Sequence, residues 1–335
     1  MAKPIKNKTE EGELSAIDKM YAKYKKTDQI FEAPKSLEEI DTTVERMINP
    51  FLSFDRYLGG APAYGKITTY NAFASCGKTS LALAFAGVNP DKIIGFCDNE
   101  FNWTDSSYLW IDKYFGIEKE RIHILQPTYL EEGAEMVEDL CAVTDIVIFD
   151  GFDALAPKSE YQSTMEEQQI GAQARAYKKF FRRSMGKIYK SKAALLITNH
   201  LYDNIGKDTV YEPLKAPGGR SILDFSSQML NLTRGNIFDK DKKIIGQDVR
   251  VEIKKDKLSG NRGVKFALPY DNKLGFDIEM DIVNNAIELG LIKVTGSWYS
   301  YGDSKLGQGK DNVRDLLKDN PELSLELVTR CKELF

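Results

Sequence analysis

The chain has few of the residues that build metal centres and disulfide frameworks. Its 335 residues include four cysteines, Cys76, Cys97, Cys141 and Cys331, with no C-x-x-C spacing, and two histidines, His123 and His200. No zinc cluster can be assembled from these, and all four cysteines read as reduced thiols. A run of about 18 apolar residues is also missing, so there is no candidate membrane-spanning helix. The opening "MAKPIKNKTEEGELSA" has no apolar stretch of the signal-peptide type, which makes the cytoplasm the expected address. Positive charge is not in excess either: the net charge is -4. A uniformly basic nucleic-acid coat is thereby excluded, but a local basic groove is not. Internal repeats and low-complexity tracts are absent.

What is present is a regular alternation. From residue 66 onward, apolar runs such as "KITTYNAF", "KIIGFCDNE", "RIHILQP", "DIVIFDG" and "AALLITN" take turns with helical patterns. The helical patterns are "TSLALAFAG", "TDSSYLWIDKYFG", "EEGAEMVEDLCA" and a long one near "QQIGAQARAYKKFFRRSMGKIYKS". Strand and helix in turn predict an α/β fold with a mainly parallel sheet flanked by helices. "QMLNLTRG" and "VRVEIKKDKL" predict further strands. A final, mostly helical segment from about residue 281 is interrupted by the glycine-rich "GSWYSYGDSKLGQGK". Near the start, Leu14, Ile17, Met20, Tyr21 and Tyr24 recur at helical spacing and predict one sticky face, for this domain or for a neighbouring subunit.

"SCGKTS" follows an apolar strand and opens a helix, the setting of a phosphate-binding loop. Ser75, Cys76, Gly77, Lys78, Thr79 and Ser80 then form the cradle, with Lys78 on the β and γ phosphates of a nucleotide and Thr79 on Mg2+. The pattern G-x-x-x-x-G-K-[ST] asks for glycine where Ala72 stands, which matters only if that position needs a left-handed backbone. Asp150, ending "TDIVIFD", is placed to orient the water shell of the magnesium ion. Glu100, after "IIGFCDNE", emerges at the same sheet edge, where it could act as a general base or sit as a solvated carboxylate. "ALLITNH" brings Asn199 and His200 there, the histidine to bond a γ-phosphate or to cap a turn.

The order "GKTS", "DNE", "FDGFDALAPK", "LLITNH", "APGGRS" and "GSWYSYGDSKLGQGK" followed by "LLKDNPE" resembles the RecA family of homologous recombinases, from about residue 12 to the end. The resemblance implies a RecA-like P-loop ATPase core over residues 36–280. It also implies a tail and subunit-docking helix over 1–35 and a small α/β domain over 281–335. Glu100 falls on the catalytic glutamate, Lys78, Thr79 and Asp150 on the phosphate and magnesium ligands, and Asp105 and Tyr108, shifted by one residue, on the adenine contacts. Lys255 and Lys257 match a pair that reaches a neighbour's γ-phosphate. Two segments resemble DNA-binding loops. One runs from 158 to 171 with Ile170 and Gly171 and leads to Arg175, Arg182 and Arg183. The other runs from 201 to 219 with Ile205, Lys207, Lys215, Gly218 and Gly219. Their phosphate contacts would come from glycine backbone and basic side chains, while Ile170 and Ile205 would wedge between bases.

The implied activity is ATP-dependent strand exchange by a helical homo-oligomeric filament on single-stranded DNA, paired with homologous duplex, with DNA-stimulated ATP hydrolysis. A hexameric helicase and a weakly hydrolysing, nucleotide-gated DNA scaffold are the alternatives. Ala72, Cys76 and His200 depart from the family pattern, bacterial members carrying glutamine at the last. Histidine there, with an end lacking an acidic tail, suggests a bacteriophage-encoded member.

Overall fold

The strands that carry the sequence's apolar runs lie side by side in a nine-stranded sheet. The computed structural model describes residues 43–164, 171–203, 214–215, 217, 219–238, 244–271 and 275–335. All but Thr43 belong to one compact unit, Val44–Phe335. The N-terminal helix proposed near Tyr21, and Ile170, Ile205, Lys207 and Gly218, lie outside the described residues.

Five strands are parallel: β1 (Ile67–Ala72), β2 (Ile94–Asp98), β3 (Ile122–Leu125), β4 (Ile146–Asp150) and β5 (Ala194–His200). β8 (Gln228–Phe238) joins β1 in parallel. β9 (Ile244–Asp256), β10 (Lys265–Asp271) and β11 (Gly275–Phe276) extend the sheet by antiparallel pairing. Each residue of β1, β2 and β4 is buried, which explains why β2 and β4 show no alternation, while β1 buries Thr68, Thr69 and Asn71 among its apolar residues.

Helices cover both faces. α1 (Leu52–Leu58), α2 (Lys78–Gly87) and α3 (Asp105–Phe115) carry residues of one apolar cluster, with Phe54 and Phe85 ring centroids 4.9 Å apart. α4 (Leu130–Val143) and α6 (Ala172–Ser191) carry residues of the other, while the four-residue α5 (Lys158–Tyr161) precedes α6. The short strands β6 (Tyr202–Asp203) and β7 (Leu214–Lys215) pair with each other, and α7 (Gly219–Phe225) follows.

A third cluster belongs to the C-terminal segment, built of α8 (Ile278–Glu288), β12 (Ile292–Thr295), β13 (Trp298–Tyr301), β14 (Ser304–Gln308), α9 (Lys310–Asp319) and α10 (Pro321–Lys332). The glycine-rich stretch read as an interruption therefore supplies β13 and β14 of a three-stranded antiparallel sheet. Gly296 and Gly302, at φ 63° and 56°, supply the left-handed turns that let such short strands reverse. Among the described residues, no helix is long and apolar enough to cross a membrane. All four cysteines are free and buried.

Candidate nucleotide site

β1 and β5 end in register, Ala72 beside His200, and β2 and β4 do the same, Asp98 beside Asp150. Parallel strands deliver their following loops to one edge, so four separated segments meet there. They line a cleft of about 380 Å³ with Ala74, Ser75, Cys76, Gly77, Lys78, Thr79, Ser80, Glu100, His200, Arg234 and Tyr270.

Ala72 is the last residue of β1, fully buried and absent from the residues at positive φ. Its side chain sits in the core and demands no left-handed backbone. The sharp turn falls later, at Ser75 with φ 59° and Gly77 with φ 83°. For Ser75 this conformation costs roughly 1–2 kcal/mol, whereas glycine adopts it freely. Arg234 Nη1 donates to the Ser75 carbonyl at 3.0 Å, and its guanidinium lies 4.8 Å from the centre of the Tyr270 ring, which bounds the cleft.

Lys78 opens α2 with its side chain folded back along the loop. Nζ donates to the carbonyls of Ala72 at 3.4 Å and Phe73 at 3.2 Å. Burial lowers its pKa, while Glu100 and Asp150 pull it the other way. Asp150 lies behind Thr79. Its Oδ1 accepts from the hydroxyls of Thr79 at 2.8 Å and Thr198 at 2.6 Å. Burial raises its pKa to about 6 against those two hydrogen bonds. A buried carboxylate held next to a threonine hydroxyl is a pair of hard oxygen donors of the kind Mg2+ takes alongside phosphates, so the residues fit that ion.

Glu100 lies two residues past β2, and its Oε2 accepts from Asn102 Nδ2 at 2.9 Å. Gly151 lies beneath it: a Cβ there would meet Glu100 Cγ at 2.7 Å, and its φ of 68° independently favours glycine. His200 faces Glu100 across 3.7 Å from Nε2 to Oε1, and its Nδ1 lies 3.0 Å from Asp153 Oδ1. Asn199, one residue back, donates to Asn71 Oδ1 at 3.3 Å and to the Pro217 carbonyl at 3.2 Å. The sheet edge is thus tied to the end of the second loop.

The other expected residues are distributed as follows. Asp105 and Tyr108 lie on α3 and do not line the cleft, and Lys119 lies over the Tyr108 ring at 4.5 Å. Lys255 caps the C-terminal end of α7 through the carbonyls of Leu223 and Asp224, and Lys257 donates to the Asp224 carbonyl at 3.3 Å. Burial and the neighbouring Lys257 lower the Lys255 pKa to about 8. Gly171, at φ 71°, is the N-cap of α6, and Gly219 begins α7. Along α6, Arg175, Lys178, Lys179, Arg182 and Arg183 share one face and line a surface groove. Arg183 and Lys187 are drawn to the buried Glu138 of α4, at 3.2 and 2.5 Å.

Sequence reading missed Thr198, Arg234, Tyr270, Gly151 and Asp153. Gly151 and Asp153 stand inside the quoted "FDGFDALAPK", Thr198 inside "ALLITNH" and Arg234 inside "QMLNLTRG", but nothing in those stretches marks them as site residues, and Tyr270 lies outside every quoted stretch. Thr198, Arg234 and Tyr270 come from strands whose pairing partners are far away in sequence.

The family model for the RecA N-terminal domain matches residues 11–275, and that for the RecA C-terminal domain matches residues 280–335. The chain is 33% identical over 336 residues to Protein RecA of Aquifex aeolicus, covering 98% of this chain and 93% of that protein. It is 32% identical to Protein RecA of Aquifex pyrophilus, with 98% and 92% covered, and 31% identical to Protein RecA of Clostridium botulinum strain Alaska E43, with 82% and 77% covered. With two family models spanning nearly its whole length and relatives of this similarity, the chain belongs to the RecA family.

Proposed function

We propose that the protein is a DNA-dependent ATPase that forms helical filaments on single-stranded DNA and exchanges strands with a homologous duplex. The observation that carries the reading is the meeting at one sheet edge of a phosphate loop, the Thr79–Asp150 pair, Glu100 and His200. Family membership supplies the DNA and filament parts of it.

ATP would lay its phosphates over the loop amides at the start of α2, where aligned peptide dipoles favour negative charge. Lys78 would exchange its two backbone carbonyls for phosphate oxygens, recovering a full charge partner for a half-desolvated ammonium. Thr79 and Asp150 would hold Mg2+, which when bound neutralises charge developing on the β and γ oxygens. Tyr270, at the rim, offers an aromatic face for a base, and Asp105 and Tyr108 remain proposed adenine contacts. Glu100 would take the proton of the attacking water.

Lys255 and Lys257 would add charge to a neighbour's γ-phosphate, leaving the helix end they cap. The α6 arginines Arg175 and Arg182, with Gly171, Gly219 and the residues of the two loops, would carry DNA. The proposed division is the docking segment 1–35, the core 36–280 and the small domain 281–335.

Phosphate release measured with and without single-stranded DNA tests this reading. Wild type should be stimulated by DNA. Lys78→Ala should lose ATP binding, and Glu100→Gln should still bind ATP but hydrolyse it at least about 100-fold more slowly, the usual size of a general-base contribution. Normal turnover by Glu100→Gln would remove the base assignment.

A further inference from the structure

His200 is held by a carboxylate that no part of the proposed chemistry has used. Asp153 follows β4 by three residues, and its side chain is only 4% exposed. Its Oδ1 accepts from the backbone N–H of His200 at 3.2 Å and lies 3.0 Å from His200 Nδ1. Its Oδ2 accepts from the Tyr202 hydroxyl at 2.9 Å. Among the described residues, the hydrogen-bond partners of this carboxylate sit on β5 and β6, the two strands that lead into the second loop.

An ionised carboxylate offers only acceptors, so the imidazole presents Nδ1–H to Oδ1. In the neutral ring the lone pair is then left on Nε2, which faces Glu100 Oε1 across 3.7 Å. Two acceptors facing each other at that separation repel unless a donor sits between them. A water has two O–H bonds and can give one to each. We infer that Asp153 is a positioning residue: it fixes His200 in the Nδ1–H tautomer, so that Nε2 and Glu100 Oε1 together orient the water that attacks the γ-phosphate.

The inference rests on the ATPase reading above. In the step it serves, the water oxygen bonds to the γ-phosphorus and one O–H proton passes to Glu100. The bond from that phosphorus to the β,γ-bridging oxygen breaks, and its electron pair leaves on ADP. His200 receives no net proton and acts by holding the second O–H. Asp153 touches neither water nor phosphate, and its influence runs wholly through the imidazole. Tyr202, on the other carboxylate oxygen, keeps Asp153 from rotating and joins the same group to the base of the β6–β7 pair.

The test uses the small number of histidines. With the exposed His123 replaced by asparagine, His200 is the sole imidazole, and long-range 1H–15N correlation reads its tautomer directly. At pH 8 the wild-type ring should carry its proton on Nδ1, in the unliganded protein and with ATP bound. Asp153→Ala should shift it toward the Nε2–H form that free imidazole prefers. The same variant should lower the DNA-stimulated kcat on the order of 10-fold with little change in the KM for ATP, the scale seen when a group that orients a site residue is lost. Asp153→Asn, which keeps a carbonyl acceptor in the same shape, should recover most of both signals, and it serves if Asp153→Ala does not fold. In a His200→Gln background Asp153→Ala should cost less than about 2-fold, because coupled residues are non-additive.

An Nε2–H ring in the wild type would overturn the proposal. So would an equal loss from Asp153→Ala with and without His200. A wild type that hydrolyses no ATP would instead overturn the function proposed above, while the tautomer of the unliganded ring would still decide what Asp153 does.

Discussion

Ala72 shows what a single departure from a motif does to a site. The sequence raised the question of a missing glycine, and the backbone answers it: the residue is strand, not turn, and the left-handed positions are Ser75 and Gly77. Restoring the motif residue should therefore bring nothing. Ala72→Gly is expected to lower the unfolding free energy by about 0.5–1 kcal/mol, the usual cost of glycine inside a regular element, and to leave ATP affinity unchanged. Urea denaturation and a nucleotide titration check this, and a gain in affinity would mean that Ala72 constrains the loop after all. The same scale separates what can be read from a chain from what cannot. Lys78, Thr79, Asp150 and Glu100 were legible because each lies beside a strand end of recognisable pattern. Arg234 and Tyr270 were not, because β8 and β10 reach the cleft only through pairings across the sheet. For Lys255 and Lys257 position was legible but occupation was not, since the carbonyls they cap belong to residues more than 30 positions away.

At the scale of elements, the parallel core was readable from its apolar runs, whereas the C-terminal sheet was not. β12, β13 and β14 are four or five residues each, and Ile292 is the one buried residue among them, so they lack the buried periodicity that marks a strand. Their apolar residues pack in one cluster with those of α8, α9 and α10, and α8 is itself clipped to α1. Asp281 of α8 accepts from the Ser53 backbone N–H at 3.0 Å, from the Ser53 hydroxyl, and from Asn285 Nδ2 at 3.3 Å. Burial is the main cause raising its pKa, to about 6 from an ordinary 3.8, against the hydrogen bonds from Ser53. Because the folded-state value is the higher one, the folded protein binds this proton more tightly than the unfolded chain. The contribution is thus fully present below about pH 4 and is lost as pH rises through about 6. The gap in unfolding free energy between wild type and Asp281→Ala should narrow by up to about 3 kcal/mol between pH 4 and pH 7, as a shift of about two pKa units requires. Paired urea titrations across that range provide the check, and a gap that widens with pH would reverse the assignment.

For the whole molecule, the net charge of -4 makes DNA binding the most exposed part of the account. The basic residues that line the α6 groove concentrate positive charge on one surface, so affinity should fall steeply with salt despite the negative total. Arg182→Ala should weaken binding to oligonucleotides of any sequence and reduce the slope of log K against log salt by about one unit, if one phosphate contact is lost. A fluorescent single strand titrated at several salt concentrations, with ATP and Mg2+ present, measures both. Hydrolysis and binding alone would still fit a ring helicase or a passive scaffold, and the reaction that separates them is strand exchange. Circular single strands mixed with homologous linear duplex, ATP and Mg2+ should yield joint molecules and then nicked circles with the wild-type protein, and none with Lys78→Ala. DNA-stimulated hydrolysis by a wild-type protein that forms no joint molecules would contradict the account.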